Sequence, residues 1–532
     1  MIHPSQRPQK TTPEPLAEPI SLDRTDARGG TDVRDPIGSL PPPPPPEDAA
    51  TLPAFALPRA ARHDEALERA IDWVYASLNE RGSLTHGESD AVRRAPAWTR
   101  ALLDALGAPD RRIPALYVTG SKGKGSTSVF AAAALQAGAP GQGPVGLVTS
   151  PHLLDFAERI RVDLRAMSGD ELRRLIEAVE PLADAIRARI PRPFYASPVG
   201  AVTALAAVHF RSLNARYAVY EAGRGGRFDD TAELEHTVTV ITTLFPEHLR
   251  ELGPTLKDIA WHKAGAIREG THTVVQGAFP PDLDAEIEQE ARRVGARRLI
   301  LGRAITVRVE NGPENGRPRA HAGFPEDPGG SAQMIHVTTP SGSYGPLPVP
   351  LAGRHQRDNL ALAVAAAESL AGRRLKEAPL RRLLQTLRWP GRMETVRDPA
   401  GGPALLDASI EPGAARAAAA HARMTLPGPY VALVGIGTGK DYEAVWNALA
   451  EASLDVIVTE AQNPYLRFPD QGTTDRWIRH DPMHRLAEPD LAKAWRVARE
   501  RVGVTGTILV LGTVSLIADA LRLCQLNASD LG

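Results

Sequence analysis

The sequence has almost no cysteine, no long apolar run and almost no net charge. Its 532 residues include one cysteine, Cys524, which excludes an intramolecular disulfide framework and a cysteine-based zinc cluster. No apolar run approaches the roughly 20 residues that span a bilayer, and the opening residues, MIHPSQRPQK, lack the apolar core of a secretory signal. A net charge of −1 provides no field to attract nucleic acid or a membrane surface. We therefore expect a cytoplasmic protein that binds neither nucleic acid nor a membrane.

Length and composition indicate a globular protein with more than one domain. Hydrophobic residues make up 42% of the chain and charged residues 23%, which is a typical globular balance, and the chain is too long for one compact core. Residues 1–58 are rich in Pro, Asp, Thr and Arg and contain six consecutive prolines at 41–46, so they predict a disordered tail. A stiff spacer or a docking site for a proline-binding module is the alternative.

Short apolar segments alternate with helical segments through the next part of the chain. Helical periodicity at 64–106 predicts two helices before a glycine-rich segment. Strand-like runs then occur at 145–150, 217–223, 238–244 and 272–277, and helical segments at 169–189 and 198–213. This alternation predicts a mostly parallel sheet that is covered on both faces.

The later part of the chain predicts a second α/β unit. Residues 301–350 indicate short antiparallel strands and loops, and a helical region follows from 351 to about 387. Further strand-like runs occur at 404–408, 430–436, 454–460 and 507–513. The predicted fold class is therefore α/β: a P-loop-type, mostly parallel ATPase domain at 59–394, followed by a smaller, Rossmann-like α/β domain at 395–532. We expect a catalytic cleft between the two.

The segment YVTGSKGKGSTS at 117–128 is typical of a phosphate cradle. Glycines at 120, 123 and 125 permit backbone conformations in which successive N–H groups point at one anion. Lys124 adds a positive charge, and Ser126 offers a hydroxyl to a magnesium ion. An alanine-rich helix over 127–136 would bring its positive end to the same anion. The spacing differs from the standard G-x-x-x-x-G-K-[ST] loop, so a Gly/Lys-rich surface turn is the alternative.

Other residues that could hold a metal or a phosphate follow the glycine loop. Glu221 ends a strand-like run before a second glycine-rich turn, where a carboxylate is placed to hold a metal that bridges nucleotide phosphates. His248 follows the next strand, with Glu247 beside it as an alternative ligand, and Lys263 lies on a helix after that loop. Taken alone, Glu221 could also be an ordinary strand-end acid, a lone histidine is more often structural, and most lysines on helices are exposed to solvent.

The order of these motifs resembles the Mur ligase superfamily, and within it the folylpolyglutamate synthase and dihydrofolate synthase family, over about residues 66–520. The loop at 120–126, G-S-K-G-K-G-S, is similar to the family's G-T-x-G-K-G-S. More specific matches are T-S-P-H-L at 149–153 and FAERIRV at 156–162. Further family-like segments follow in order, namely E-x-G-x-G-G-R-x-D-x-T at 221–231, E-H with L-G at 247–253, K-A-G at 263–265, GRHQRDN at 353–359 and WPGRME at 389–394.

This resemblance implies an ATP-dependent amide ligase that uses ATP and Mg²⁺, with as many as two metal ions. ATP phosphorylates a carboxylic acid, an amine attacks the acyl phosphate, and a closed cleft excludes water. The implied substrates are a small acid and an amino acid, with glutamate added to a folate or pteroate in one-carbon metabolism as the leading expectation.

The resemblance also implies roles for individual residues. The catalytic residues would be Lys124, His248, Lys263 and Arg392. The nucleotide would contact Gly120, Ser121, Gly123, Lys124, Gly125, Ser126, Thr127, Gln356, Asn359, Arg392 and Asp407, with Gln356 and Asn359 near the adenine, Arg392 at the γ-phosphate and Asp407 at the ribose. The metal ligands would be Ser126, Ser150, Glu221, His248 and Lys263, the last as a carbamylated lysine.

Two segments depart from the family pattern. The family's D-G-A-H-N-P is D-A-S-I-E-P at 407–412, so Ile410 and Glu411 replace the histidine and the asparagine, and Ile410 can neither donate to a phosphate nor bind a metal. The family's D-A-T-N is D-D-T-A at 229–232. Two alternatives therefore stay open: a specialised amide ligase for a non-folate acid and amine, and a nucleotide-binding regulator or scaffold without catalysis. The oligomeric state is not set by the sequence, and a monomer is our working expectation.

Overall fold

The computed structural model describes residues 65–81, 89–139, 141–310 and 333–532. The predicted tail at 1–58 lies outside these ranges. The first described elements are helices α1 (Glu65–Arg81), α2 (Asp90–Arg93) and α3 (Pro96–Ala105). The sequence predicted two helices here; the short α2 is additional, and Pro96 starts α3 because its fixed φ suits the first turn of a helix. None of the helices in the described ranges combines the length and apolar character needed to cross a membrane.

An eight-stranded sheet organises the described residues between 115 and 300. Its strands are β1 (Ala115–Thr119), β2 (Val145–Val148), β3 (Ile160–Val162), β4 (Arg165–Ala166), β5 (Tyr217–Glu221), β6 (Val238–Ile241), β7 (Thr273–Gln276) and β8 (Arg297–Ile300). The order is β4-β3-β2-β5-β1-β6-β7-β8. Strand β3 is antiparallel to its two neighbours, β2 and β4, and the other pairs are parallel, so the predicted mostly parallel sheet is confirmed.

Helices between these strands cover the sheet. They are α4 (Lys124–Gly138), α5 (Gly169–Arg187), α6 (Pro198–Ser212), α7 (Leu249–Leu252), α8 (Leu256–Ala264) and α9 (Pro281–Val294). The helix predicted over 127–136 begins three residues earlier, at Lys124, because Gly123 takes the left-handed conformation at its N-cap. This earlier start brings the lysine of the glycine loop into the first turn of α4.

A three-stranded antiparallel sheet and two helices follow. The strands are β9 (Thr306–Val309), β10 (Gln333–Thr339) and β11 (Gly342–Val349), and the helices are α10 (His355–Ala371) and α11 (Glu377–Thr386). The antiparallel strands predicted for 301–350 are confirmed for the residues that the structure describes. Helices α4 and α10 pack against each other, and both contain runs of small buried residues: Ala131–Ala134 and Ala365–Ala367 are all 1% exposed or less.

A six-stranded sheet forms the last part of the described chain. Its strands are β12 (Glu394–Arg397), β13 (Pro403–Asp407), β14 (Tyr430–Gly435), β15 (Asp455–Val458), β16 (Arg485–Ala487) and β17 (Thr507–Gly512). The order is β12-β13-β17-β14-β15-β16, with β12 antiparallel to its neighbour. The helices are α12 (Pro412–Thr425), α13 (Tyr442–Glu451), α14 (Gln471–Ile478), α15 (Leu491–Val502) and α16 (Val514–Leu523). The second α/β series is confirmed, and the exact domain boundary at 394 and 395 stays a prediction.

Candidate active site

The loop between β1 and α4 is braced by the segment that follows β6. Ser121 N–H donates to Thr243 O over 2.8 Å, and Lys122 N–H donates to Thr243 Oγ1 over 2.9 Å. Gly120 has a φ of +144°, and a Cβ there would overlap Thr242 Oγ1. Glycine is therefore required at this position for the loop to pass the neighbouring chain.

The positive end of α4 faces the same loop. Gly123 is its N-cap with a φ of +83°, and Lys124 Nζ donates to Gly120 O over 2.9 Å. A helix N-terminus and a lysine that converge on a glycine loop form an anion site. Two predicted nucleotide contacts have side chains that are engaged or buried: the Ser121 hydroxyl of the loop is bonded to the backbone of Phe245, and the side chain of Thr127 on α4 is fully buried.

One cavity brings together residues from several of the predicted motifs. Its walls are formed by Gly123, Gly125, Ser126, Ser150, Pro151, Leu153, Glu158, Arg161, Glu221, Trp389, Pro390, Arg392, Val514 and Ala528. The strands explain this convergence, because β1, β2 and β5 are parallel neighbours whose carboxyl ends meet at one edge of the sheet. The glycine loop, the T-S-P-H-L segment and Glu221 follow these three strands.

Glu221 is buried beside the loop and holds the T-S-P-H-L backbone. It is 6% exposed, and its Oε2 accepts the Ser150 N–H over 2.8 Å. Burial raises the pKa of the Glu221 carboxyl to about 7, although Lys124, the Ser150 N–H and Arg392 oppose this shift. A carboxylate desolvated in this way gains from a nearby cation.

The chemistry of the predicted metal ligands fits magnesium. Ser126, Ser150 and Glu221 lie on one cavity, and hydroxyl and carboxylate oxygens are donors that Mg²⁺ accepts. In the ranges that the structure describes, no group of three or more His, Cys, Asp or Glu side chains is placed to hold a metal. Mg²⁺ in nucleotide sites commonly takes one or two carboxylates and completes its shell with phosphates and water.

Lys263 is fully buried on α8 and bonded to Glu247. A capping box between Thr255 and Asp258 starts the helix, and Lys263 Nζ donates to Glu247 Oε1 over 2.7 Å with the lysine side chain 0% exposed. Burial, followed by repulsion from Lys124, lowers the pKa of Lys263 to about 8. The simple interpretation of an exposed lysine is therefore wrong, because an acid beside the loop satisfies its amine in the interior.

His248 is separate from the cavity walls. It lies at the N-cap of α7 with a φ of +47° and an exposed side chain. The structure thus pairs Lys263 with Glu247, the residue that the sequence offered as an alternative ligand, and leaves His248 at the surface of the same turn.

The residues predicted to contact adenine and ribose occupy two further positions. Gln356 and Asn359 are buried on α10, and Asn359 Nδ2 donates to Gln356 Oε1 over 3.0 Å. Asn359 lies directly behind Gly123, whose Cβ would come within 2.5 Å of Asn359 Oδ1. Asp407 ends β13, and its Oδ2 accepts the Met393 N–H over 2.7 Å, so it supports the turn that carries Arg392.

Two of the residues that depart from the family pattern pair with a charged residue, and a third packs into an apolar core. Asp230 accepts bonds from Arg94 Nη1 over 2.8 Å and Thr99 Oγ1 over 3.0 Å. Glu411 Oε1 lies 2.8 Å from Lys122 Nζ, so a salt bridge joins the glycine loop to the N-terminus of α12. Ile410 packs with the apolar core on one face of the six-stranded sheet.

Sequence reasoning left eight of the cavity residues without a role, among them Glu158, Arg161 and Ala528. Glu158 is 3% exposed and accepts backbone N–H groups from Leu153, Leu154 and Asp155. Arg161 is buried with its guanidinium 5.7 Å from the Trp389 ring centroid, and Ala528 completes this wall. The FAERIRV segment was a signal for the first two, whereas nothing in the local sequence marks Ala528.

Comparisons with known proteins agree on one family. No family model matches the sequence. The chain is 31% identical over 339 residues to dihydrofolate synthase/folylpolyglutamate synthase from Bacillus subtilis, covering 63% of this chain and 71% of that protein. It is 28% identical over 375 residues to folylpolyglutamate synthase from Lacticaseibacillus casei, covering 70% and 82%.

Solved structures give the same result. The crystal structure of Mycobacterium tuberculosis folylpolyglutamate synthase complexed with ADP and AMPPCP is similar with a TM-score of 0.70 and 26% identity, covering 85% of this chain and 99% of that one. A folylpolyglutamate synthase from Thermotoga maritima shares the fold with a TM-score of 0.70 at 22% identity, over 87% of this chain and 97% of that one.

Proposed function

The chain belongs to the folylpolyglutamate synthase/dihydrofolate synthase family, and from that membership we propose its reaction. The protein is an ATP-dependent ligase that forms an amide bond between glutamate and a folate or pteroate. The acid is first activated as an acyl phosphate. Both substrates are small molecules.

One observation carries this proposal. The cavity is lined by the glycine loop, by Ser150, by Glu221 and by Arg392, which come from four separate motifs of the chain. A phosphate cradle alone would suit any nucleotide-binding protein. A cradle that shares its cavity with a buried carboxylate and an arginine is suited to phosphoryl transfer, because the arginine offsets negative charge on the moving phosphoryl group and the carboxylate can hold a metal ion that does the same.

The reaction needs two displacements in one place. A carboxylate oxygen of the acid attacks the γ-phosphorus, the bond to the bridging oxygen breaks, and ADP leaves. The amine nitrogen of glutamate then attacks the acyl carbon, phosphate leaves, and the nitrogen loses a proton. Lys124 and the N-terminus of α4 offset phosphate charge in the first step, and we assign Arg392 to the γ-phosphate.

We propose that Ser126, Ser150 and Glu221 hold one magnesium ion with His248 as a further ligand, and that Lys263 would be a ligand of a second. Bound Mg²⁺ would neutralise charge on the transferring phosphoryl group. Carbamylation of Lys263 remains a prediction. A carbamate there would face Glu247, which now accepts the amine, so two anions would need a cation between them. The ¹³C NMR spectrum of the folded protein equilibrated with ¹³C-bicarbonate tests for the added CO₂, because a carbamate signal that is absent in Lys263→Arg would belong to this residue.

The test of function is ADP release by the full chain. The purified protein is supplied with Mg²⁺, ATP and a matrix of acids and amines that includes dihydropteroate, dihydrofolate and tetrahydrofolate with glutamate. Release that requires both a pterin acid and glutamate supports the proposal. Release with other pairs only would identify a ligase for other substrates, and ATP binding without release under any pair would favour a regulator.

Lys124 provides the matched variant. Lys124→Ala is expected to lower turnover by at least about a hundredfold, because removing a preorganised charge from a phosphoryl-transfer site typically costs this much or more. Lys493→Ala, an exposed position on α15, is the control. Near-normal turnover in Lys124→Ala would contradict the assignment of the nucleotide site.

A further inference from the structure

Residues 527–532, here called the return segment, leave the six-stranded sheet after α16 and pair with the edge of the eight-stranded sheet. The Ala166 N–H donates to Ser529 O over 2.7 Å, and the Leu531 N–H donates to Leu164 O over 3.2 Å. An antiparallel bridge between Arg165 and Asp530 lies between these bonds. The return segment thus covers the outer edge of β4, which has no other strand beside it in the sheet order.

The return segment is anchored in the interior. Leu531 is 0% exposed and belongs to the main core between the sheet and helices α4 and α10. Leu531 O accepts the Arg388 N–H over 2.7 Å, which ties the segment to the chain just before Trp389. An ion pair between Arg165 and Asp530 at 3.3 Å lies at the surface.

The return segment also forms part of the cavity wall. Ala528 is 1% exposed and lines the cavity. Its carbonyl accepts a bond from Arg161 Nη2 over 2.7 Å, and Arg161 is itself only 2% exposed. A buried guanidinium is costly unless its donors are satisfied, so Ala528 O is one of the groups that keep Arg161 in place. Arg161 in turn lies beside Trp389 in the same wall.

We propose that the return segment seals the catalytic cavity, with Ala528 and Leu531 as positioning residues that hold Arg161 and this wall in place. The inference rests on the proposed function. The seal keeps water from two electrophiles, the γ-phosphorus and the acyl phosphate. When it loosens, a water oxygen attacks the γ-phosphorus and the bond to the bridging oxygen breaks, which yields ADP, phosphate and a proton without an amide.

The main test compares two core leucines. Leu531→Ala removes the anchor of the return segment, and Leu299→Ala is the matched control, because Leu299 is 4% exposed in the same core but lies on β8 at the opposite edge of the sheet. With Mg²⁺ and ATP alone, ADP release by Leu531→Ala is expected to exceed that of Leu299→Ala by about threefold or more, since excluded water is what limits this side reaction. With acid and amine present, the amide formed per ADP is expected to fall in Leu531→Ala only.

A surface pair keeps the test independent of core stability. Arg165→Glu places a second negative charge opposite Asp530, and Arg297→Glu makes the same change on β8. Arg165→Glu is expected to raise ADP release from ATP alone relative to Arg297→Glu, although by less than Leu531→Ala does. If Leu531→Ala does not fold, the comparison of Arg165→Glu with Arg297→Glu tests the seal by itself. Equal ADP release by Leu531→Ala and Leu299→Ala, and by Arg165→Glu and Arg297→Glu, would contradict the proposal that the return segment seals the cavity. Absence of folate-dependent turnover in the unmodified protein would count against the proposed function, while release from ATP alone still tests the seal.

Discussion

Asp230→Ala is expected to destabilise the protein even though it restores the alanine of the family pattern. Asp230 is 1% exposed and accepts bonds from Arg94 and Thr99. Arg94 is 7% exposed, so removing the carboxylate leaves a buried guanidinium without its nearest anion. Burial favours the neutral form of Arg94, but Asp230, Asp90 and Asp229 together hold its pKa above the usual value. The arginine therefore stays charged.

The expected loss of stability in Asp230→Ala follows from these contacts. Breaking a buried ion pair by removing one partner costs about 3 to 5 kcal/mol. Asp90, 3.8 Å from Arg94, remains as a second anion, so we expect the loss of the pair to cost an amount at the lower end of this range. The hydroxyl of Thr99 loses its acceptor, which adds about 1 kcal/mol. A total of roughly 3 to 4 kcal/mol lowers the melting temperature of a unit of this size by roughly 10 °C.

Thermal unfolding followed by circular dichroism measures this change. The double variant Arg94→Met/Asp230→Ala removes both charges and is expected to recover to within about 1 kcal/mol of the unmodified protein, because apolar residues can replace a buried pair. Glu451→Ala breaks an exposed pair with Arg416 and serves as the control. The reasoning fails if the melting temperature of Asp230→Ala equals that of Glu451→Ala, or if the melting temperature of the double variant is no higher than that of Asp230→Ala.

Two further predictions concern charge. Lys122→Glu and Glu411→Lys are each expected to raise the KM for ATP about two- to fivefold, since an exposed pair contributes up to about 1 kcal/mol, and the double swap is expected to restore it; strictly additive effects would contradict this coupling. Burial lowers the pKa of His236 from 6.5 to about 4, so the unfolded chain binds more protons between these pH values. Stability should fall by up to about 3 kcal/mol as the pH falls through that window. Urea midpoints measured from pH 7 to pH 4 should show a shallower fall in His236→Gln, and an unchanged slope would contradict the assignment.

The sequence predicted the elements that carry a strong apolar signal. Strands such as β1, β5 and β17 are short apolar runs bounded by glycine or polar residues, and parallel strands buried on both faces produce this pattern. The strands that the sequence did not predict are β3, β4, β8, β12 and β16. Of these, β3 is mostly buried inside the sheet, whereas the other four lie at sheet edges and most of their residues are partly exposed. Edge strands of this kind form because a neighbouring strand pairs with them, which no local pattern records.

The same reasoning applies to the candidate site. The glycine loop, Ser150 and Glu221 could be grouped from sequence because each follows a parallel strand, and carboxyl ends of such strands share one edge. The pairing of Lys263 with Glu247 depends on how α8 packs under the loop, and the wall at Ala528 depends on a segment that returns from another sheet. Contacts between distant parts of the chain leave no periodic or local signal.

The two departures from the family pattern are each matched by an opposite charge elsewhere in the chain. Asp230 meets Arg94, and Glu411 meets Lys122. An unpaired charge would be costly at the buried Asp230, whereas the exposed pair of Lys122 and Glu411 contributes at most about 1 kcal/mol. Ile410 is instead accommodated by packing into the core of the six-stranded sheet. The replacements at 230, 410 and 411 are therefore each accommodated in the fold, and the ion pair between Lys122 and Glu411 is the contact through which a change beside the six-stranded sheet would reach the glycine loop.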